Sequence, residues 1–135
     1  MEQPHGKAMT WTGRILAVLV GLFMAFDSII KVVGMDVVTE SFVRLGYDGG
    51  VGRAIGLIEV AATLLYLWPR TAMLGAVLLT GIYGGAIASH LRIGDPLFSH
   101  TLFGVYLGVA MWAGLWLRDA RLRALFPIYL PKAAA

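Results

Sequence analysis

The sequence predicts an all-α polytopic membrane protein: a four-transmembrane-helix bundle with a short amphipathic surface helix between helices 1 and 2. Three observations predict it. Apolar residues make up 59% of the 135-residue chain and charged residues only 14%, where soluble domains run near 25% charged. Four apolar runs are each long enough, at about 1.5 Å per residue, to cross roughly 30 Å of hydrocarbon. The few charges that interrupt those runs collect toward one end of the bundle. Four such runs leave almost no polar face for a water-soluble fold, so residues 1–135 read as a single membrane domain.

The first run, WTGRILAVLVGLFMAFDSIIKVVG (residues 11–34), has Arg14 near its start and Asp27 and Lys31 toward its end. No small-x-small cleavage site follows its apolar core, so it reads as a retained helix and not a signal peptide. In the next stretch, GMDVVTESFVRLGYDGG, the residues Val38, Phe42 and Leu45 fall at i, i+4 and i+7. Asp36 can cap the start of that stripe and Gly46 can end it, which predicts an interfacial helix over 36–45. The second run, residues 51–68, carries Arg53 near its start and Glu59 about 12 Å deeper than the mouth. A tight WPRT turn leads into the third run, residues 71–91, which holds no formal charge before His90. Asp95-Pro96 reads as an N-cap followed by proline at the first helical position. The fourth run, 96–117, then begins with His100 about one turn inside. A basic tail, 118–135, starts as a helical extension and stops near Pro127. Gly52 with Gly56, Gly104 with Gly108, and the glycines and Ala88 of the third run mark faces where helix backbones can approach.

Lysine and arginine counts predict the orientation. With four crossings, one side holds Lys7, Arg14, Arg70, Arg118, Arg121, Arg123 and Lys132; the other holds Lys31, Arg44, Arg53 and Arg92. The N- and C-termini are therefore expected on the cytoplasmic side of a bacterial-type inner membrane. Trp11, Trp68 and Trp116 fall at that same interface, as belt residues do. The formal charge of +3 is too small to argue for a nucleic-acid partner. The absence of cysteine excludes disulfides, thiolate chemistry and Fe–S clusters.

The polar residues inside the spans carry the functional reading. All four helices bring them to the same outer half. A charge at mid-membrane costs on the order of 3 kcal/mol, so Asp27, Lys31, Arg53 and Glu59 are expected to face inward, where their charges sum to zero. Asp27 and Lys31 can pair one turn apart. Lys31–Glu59 and Asp27–Arg53 are alternative pairings that the sequence leaves open. Gly56, Glu59 and Thr63 share one helix face; Thr80, Tyr83, Ile87 and His90 share another. These faces predict an outward-opening pocket whose candidate residues are Asp27, Lys31, Arg53, Glu59, Tyr83, His90 and His100. A neutral network that only fixes the register of four helices is the competing explanation. No HxxxH or HxxE spacing places two ligands on one face, so no metal is predicted. No serine sits in a nucleophile elbow, and GGVGRAIG follows no strand, so it is not a nucleotide-binding turn.

The runs FDSIIKVVG, GLIEVAATLLYLWPRTAMLGA and ASHLRIGDPLFSHTLF resemble the DoxX-like family of small four-helix membrane proteins, over about residues 14 to 125. Members are similar to a subunit of a thiosulfate:quinone oxidoreductase. The resemblance implies shared polar positions at Asp27, Lys31, Glu59, His90 and His100, without assigning them a reaction. It also implies a quinone or other lipid as the candidate ligand, with Tyr83, His90 and His100 available to bond its head. The chain has no flavin, haem or Fe–S motif, so any electron donor comes from a partner.

Three functional expectations follow. The first is an accessory protein, not catalytic on its own, that binds a lipophilic ligand or docks on a larger redox or membrane complex or on a second copy of itself. The second is a membrane enzyme using a Glu/His/Asp cluster for acid–base chemistry on a lipidic substrate. The third is a purely structural subunit. Polar residues confined to one half leave no continuous path for a channel.

Overall fold

Six α-helices and one π-helical turn make up the described chain, residues 4–128 of a computed structural model: α1 (Pro4–Val33), α2 (Asp36–Arg44), α3 (Val51–Leu67), α4 (Ala72–Arg92), the π-turn Leu97–Thr101, α5 (Phe103–Arg118) and α6 (Ala120–Leu125). Among the described residues there is no strand. Three helical segments are long and apolar enough to cross a membrane: Gly6–Val33, Ala72–Arg92 and Leu97–Arg118. The second apolar run forms α3, whose 17 residues rise about 25 Å, a little less than the hydrocarbon thickness. Residues 129–135 of the basic tail, including Lys132, lie outside the described residues.

The four long helices form a ring. α1 packs against α3 and α5, and α4 closes the ring between those two. Each helix contributes a stripe at helical spacing: Ala17, Val20 and Met24 from α1, Ala62 and Tyr66 from α3, Ala72, Ala76, Leu79 and Tyr83 from α4, Met111 and Leu115 from α5. The outward faces are equally apolar, with Leu19, Leu22, Phe26, Leu57, Leu64 and Val109 all more than half exposed. Tyr66 ties the ring together, donating its hydroxyl to the Met111 carbonyl at 2.9 Å. Arg118 sits over the same ring at 5.0 Å and donates to the Tyr66 carbonyl at 3.0 Å.

Several boundaries differ from the sequence expectation. α1 begins at Pro4 and not at Trp11. Asp36 is the first residue of α2 and does not cap it; Met35 holds the N-cap position with no side-chain hydrogen bond. Asp95 does not cap the fourth span either. Pro96 occupies the N-cap position of the π-turn, and the span opens with wide turns, Thr101 N–H donating to the Pro96 carbonyl and Leu102 N–H to the Leu97 carbonyl. The Asp95 carboxylate is engaged by Arg44 and His90 instead. The expected glycine contacts hold at Gly56 and Gly104. A Cβ at 56 would lie 2.8 Å from Lys31 Cβ, so α1 and α3 meet there. Gly81, Gly84 and Gly85 of α4 face open space and mediate no contact within the bundle.

α2 and the segment after it lie across the end of the ring at which α1 finishes. Val38, Phe42 and Leu45 turn inward and are buried. Two polar ties fasten this cover to the C-terminal end of α4: the Arg92 guanidinium donates to the Leu45 carbonyl, and Tyr47 Oη lies 2.7 Å from Ser89 Oγ.

Candidate functional site

Asp27 and Lys31 stand one turn apart on α1, and Glu59 faces them from α3. Lys31 Nζ donates to Asp27 Oδ2 at 2.5 Å and to Glu59 Oε1 at 2.7 Å. Gly56, one turn before Glu59, removes the side chain that would hold the helices apart. Glu59 is 2% exposed, and its burial among apolar helices is tolerable only because the ammonium meets it. The three formal charges sum to one excess negative charge. Glu59 Oε2 is buried with no partner, as are Thr63 Oγ1, one turn further along α3, and Tyr83 Oη from α4. Buried polar atoms are seldom left unpaired, so each of these atoms would be stabilised by a hydrogen-bonding group.

Above the triad lies a cavity of about 240 Å³. Lys31 forms part of its wall, with Gly34, Val38 and Thr39 on one side and Gly49, Gly50, Gly52 and Arg53 on the other. Arg53 does not pair with Asp27. Its guanidinium packs beside Gly34, the residue that ends α1 with φ +74°, and among the described residues it has no ion pair. The geometry explains why. Six residues along a helix turn about 600°, or 240° round the axis, so Arg53 and Glu59 look in different directions from α3.

The two histidines belong to a second group at the α4–α5 hairpin. Gly94, with φ +70°, ends α4 in a left-handed turn closed by Gly94 N–H to the Leu91 carbonyl and Asp95 N–H to the His90 carbonyl. That turn folds Asp95 back over the last turn of α4, placing its Oδ2 2.5 Å from His90 Nδ1. Arg44, at the end of α2, grips the same carboxylate through both nitrogens, at 2.6 and 3.1 Å. The Arg44 hydrogen bonds first, and His90 second, hold the Asp95 carboxyl down at about 2. A carboxylate only accepts hydrogen bonds, so the His90 Nδ1 that faces it carries a proton. The His100 ring lies edge-on to His90 at 5.8 Å between centroids, and Ser99 Oγ is 2.8 Å from His100 Nδ1.

The seven residues singled out from sequence are thus divided. Asp27, Lys31 and Glu59 are joined, with Tyr83 contributing a buried hydroxyl. His90 and His100 form a separate pair, and Arg53 lines the cavity with Lys31 but joins neither group. Among the described residues no hydrogen bond or ion pair links the two groups, and no three His, Asp or Glu side chains are placed to hold one metal ion. Arg44 was not among the sequence candidates. It sits 51 residues before its partner, and only an unpaired arginine at the end of a short surface helix hinted at it.

A family model described as the DoxX-like family matches residues 15–114. No curated protein and no solved structure matches the chain.

Proposed function

The chain belongs to the DoxX-like family of membrane proteins, and on that premise we propose that it is a small accessory protein that holds a lipophilic ligand by its polar head at the outer end of the bundle. In this reading α3 is the remaining crossing, its small shortfall met by local thinning of the bilayer and by α2 over its end, and the termini lie on the cytoplasmic side of an inner membrane. The observation that carries the proposal is the double role of Lys31. Lys31 lines the 240 Å³ cavity, and its ammonium bridges Asp27 to Glu59, whose second oxygen has no partner. A head group entering the cavity meets that network directly. A quinone suits it, having carbonyl oxygens that accept from Lys31 and a ring that tolerates apolar walls. With no flavin, haem or Fe–S ligand set of its own, the protein would work beside a redox partner or in a larger membrane complex.

The test is extraction of the protein purified in mild detergent, followed by mass spectrometry. Wild type is expected to carry quinone enriched over the host membrane lipid, and Arg53→Gln to carry less. Equal quinone-to-lipid ratios in the protein and in the whole membrane would overturn the ligand reading and leave the triad as a device that sets helix register.

A second reading, acid–base chemistry on a lipidic substrate, is favoured by one contact, the Asp95–His90 pair, which orients the imidazole through its Nδ1. Incubation with membrane lipid extract should then yield a product that Asp95→Asn fails to make. An unchanged extract in both samples counts against this reading.

A further inference from the structure

The opposite, cytoplasmic-facing end of the bundle holds a feature that the proposed ligand site does not use. We infer that it binds the phosphodiester head group of an anionic phospholipid. A cavity of about 570 Å³ opens there between the first turns of α1 and the return of α6. Three of its walls are basic: Lys7, Arg14 and Arg123.

Local sequence places them. Lys7 and Arg14 are seven residues apart on α1, within about 20° of the same direction, with Thr10 and Trp11 between them on that face. Arg123 arrives from the other side because the chain breaks at Asp119. The Asp119 carboxylate accepts the Arg121 N–H at 2.8 Å, caps α6 and turns it back across the bundle end, where Leu122 is buried. Arg123 is held by one nitrogen, which donates to the Trp116 and Leu117 carbonyls at 2.9 and 2.8 Å. Its other nitrogens are uncommitted. Among the described residues none of the three cations has an ion pair, and the one carboxylate at this end, Asp119, is already paired with Arg121.

Three unpaired cations round one cavity call for an anion. The surroundings select a lipid over a soluble one. The Arg14 guanidinium lies over the Trp11 ring at 5.2 Å and Arg123 over Trp116 at 6.0 Å, the aromatic level of a membrane interface. On the same face, just beyond the cavity, α1 presents Val18 and Leu22, each more than half exposed. A phosphate among the three cations would therefore have acyl chains running down an apolar helix face. Basic residues at the cytoplasmic leaflet each favour anionic lipid by about fivefold.

The full-length protein, reconstituted into nanodiscs of equal parts phosphatidylcholine and phosphatidylglycerol and released for native mass spectrometry, tests the inference. Wild type is expected to retain phosphatidylglycerol on the order of tenfold over phosphatidylcholine. Arg14→Gln, an exposed and fold-neutral change, should lower that preference by about fivefold, while Arg70→Gln, at the same end but outside the cavity, should leave it intact. Equal retention of the two lipids overturns the inference, and so does an equal loss in Arg70→Gln. Displacement of the retained lipid by excess inorganic phosphate, with the same protection against heat, would mean a soluble-anion site and would overturn it as well.

Discussion

Replacing Lys31 with methionine should be the most damaging single change in the half of the bundle that holds the triad. Met keeps the stem and its packing but removes the ammonium that sits 2.5 Å from Asp27 and 2.7 Å from Glu59. Two carboxylates then face each other a few ångströms apart, and at an effective dielectric near 20 their repulsion alone is about 4 kcal/mol. Removing one partner of a buried ion pair costs about 3–5 kcal/mol by the same reasoning. At roughly 3–5 °C per kcal/mol for a chain of this size, the melting temperature in detergent should fall by about 10–20 °C. Glu59→Gln is the milder perturbation. It keeps an oxygen for Lys31 and removes the excess negative charge, so its cost should be near 1 kcal/mol. Lys31→Met combined with Glu59→Leu should recover at least half of the loss, because the deeply buried carboxylate goes with its partner. Thermal unfolding followed by circular dichroism on all three variants decides the matter. A Lys31→Met protein melting within about 2 °C of wild type, or a double variant less stable than the single one, would show that the triad is not the coupled unit its distances describe.

At the hairpin, Asp95 is held well below its ordinary carboxyl value, at about 2, so its stabilising bonds are complete above about pH 4 and are lost as pH falls toward 2. The gap in melting temperature between wild type and Asp95→Asn should be constant above pH 5 and close between pH 4 and pH 2; a gap that ignores pH refutes the assignment. Gly94→Ala places a side chain at φ +70° and should cost about 1–2 kcal/mol, measured by the same melts. Two helix glycines should respond in opposite directions. Gly56→Ala puts a Cβ 2.8 Å from Lys31 Cβ and should destabilise by about 1–3 kcal/mol. Gly81→Ala meets nothing within 4 Å and should gain up to about 1 kcal/mol; a loss at 81 would mean that its open face packs against something else.

Hydropathy made the membrane-embedded helical class legible, and the periods inside each run located the buried stripes. Depth was legible too, because 1.5 Å per residue puts Asp27, Lys31, Glu59, His90 and His100 toward one end whatever the packing. Azimuth was only partly so. The i, i+4 step from Asp27 to Lys31 and the i, i+3 step from Gly56 to Glu59 point each pair one way, and both participate in the triad. The same arithmetic applied to Arg53 and Glu59 sets them about 120° apart round the helix, which already argues against one cluster containing both. What local spacing cannot supply is the rotation of one helix against its neighbour, and that rotation decides which of two cations Glu59 meets.

The hairpin failed for a different reason. Asp followed by Pro carries a strong helix-start signal, and Asp95-Pro96 would satisfy it if the carboxylate had no better partner. Gly94 changes the outcome. By ending α4 in a left-handed turn it brings Asp95 over His90, and Arg44 then completes the cage from a helix 51 residues away. Two charge-assisted contacts to a shielded carboxylate outweigh one capping bond to a backbone amide. The fourth span is left to open through a π-turn without a side-chain cap, a rare wide turn that is frequent at functional sites. Here the turn carries His100 to within 5.8 Å of His90. The distortion at the start of the span and the meeting of the two rings are therefore one event, set by which partner wins Asp95.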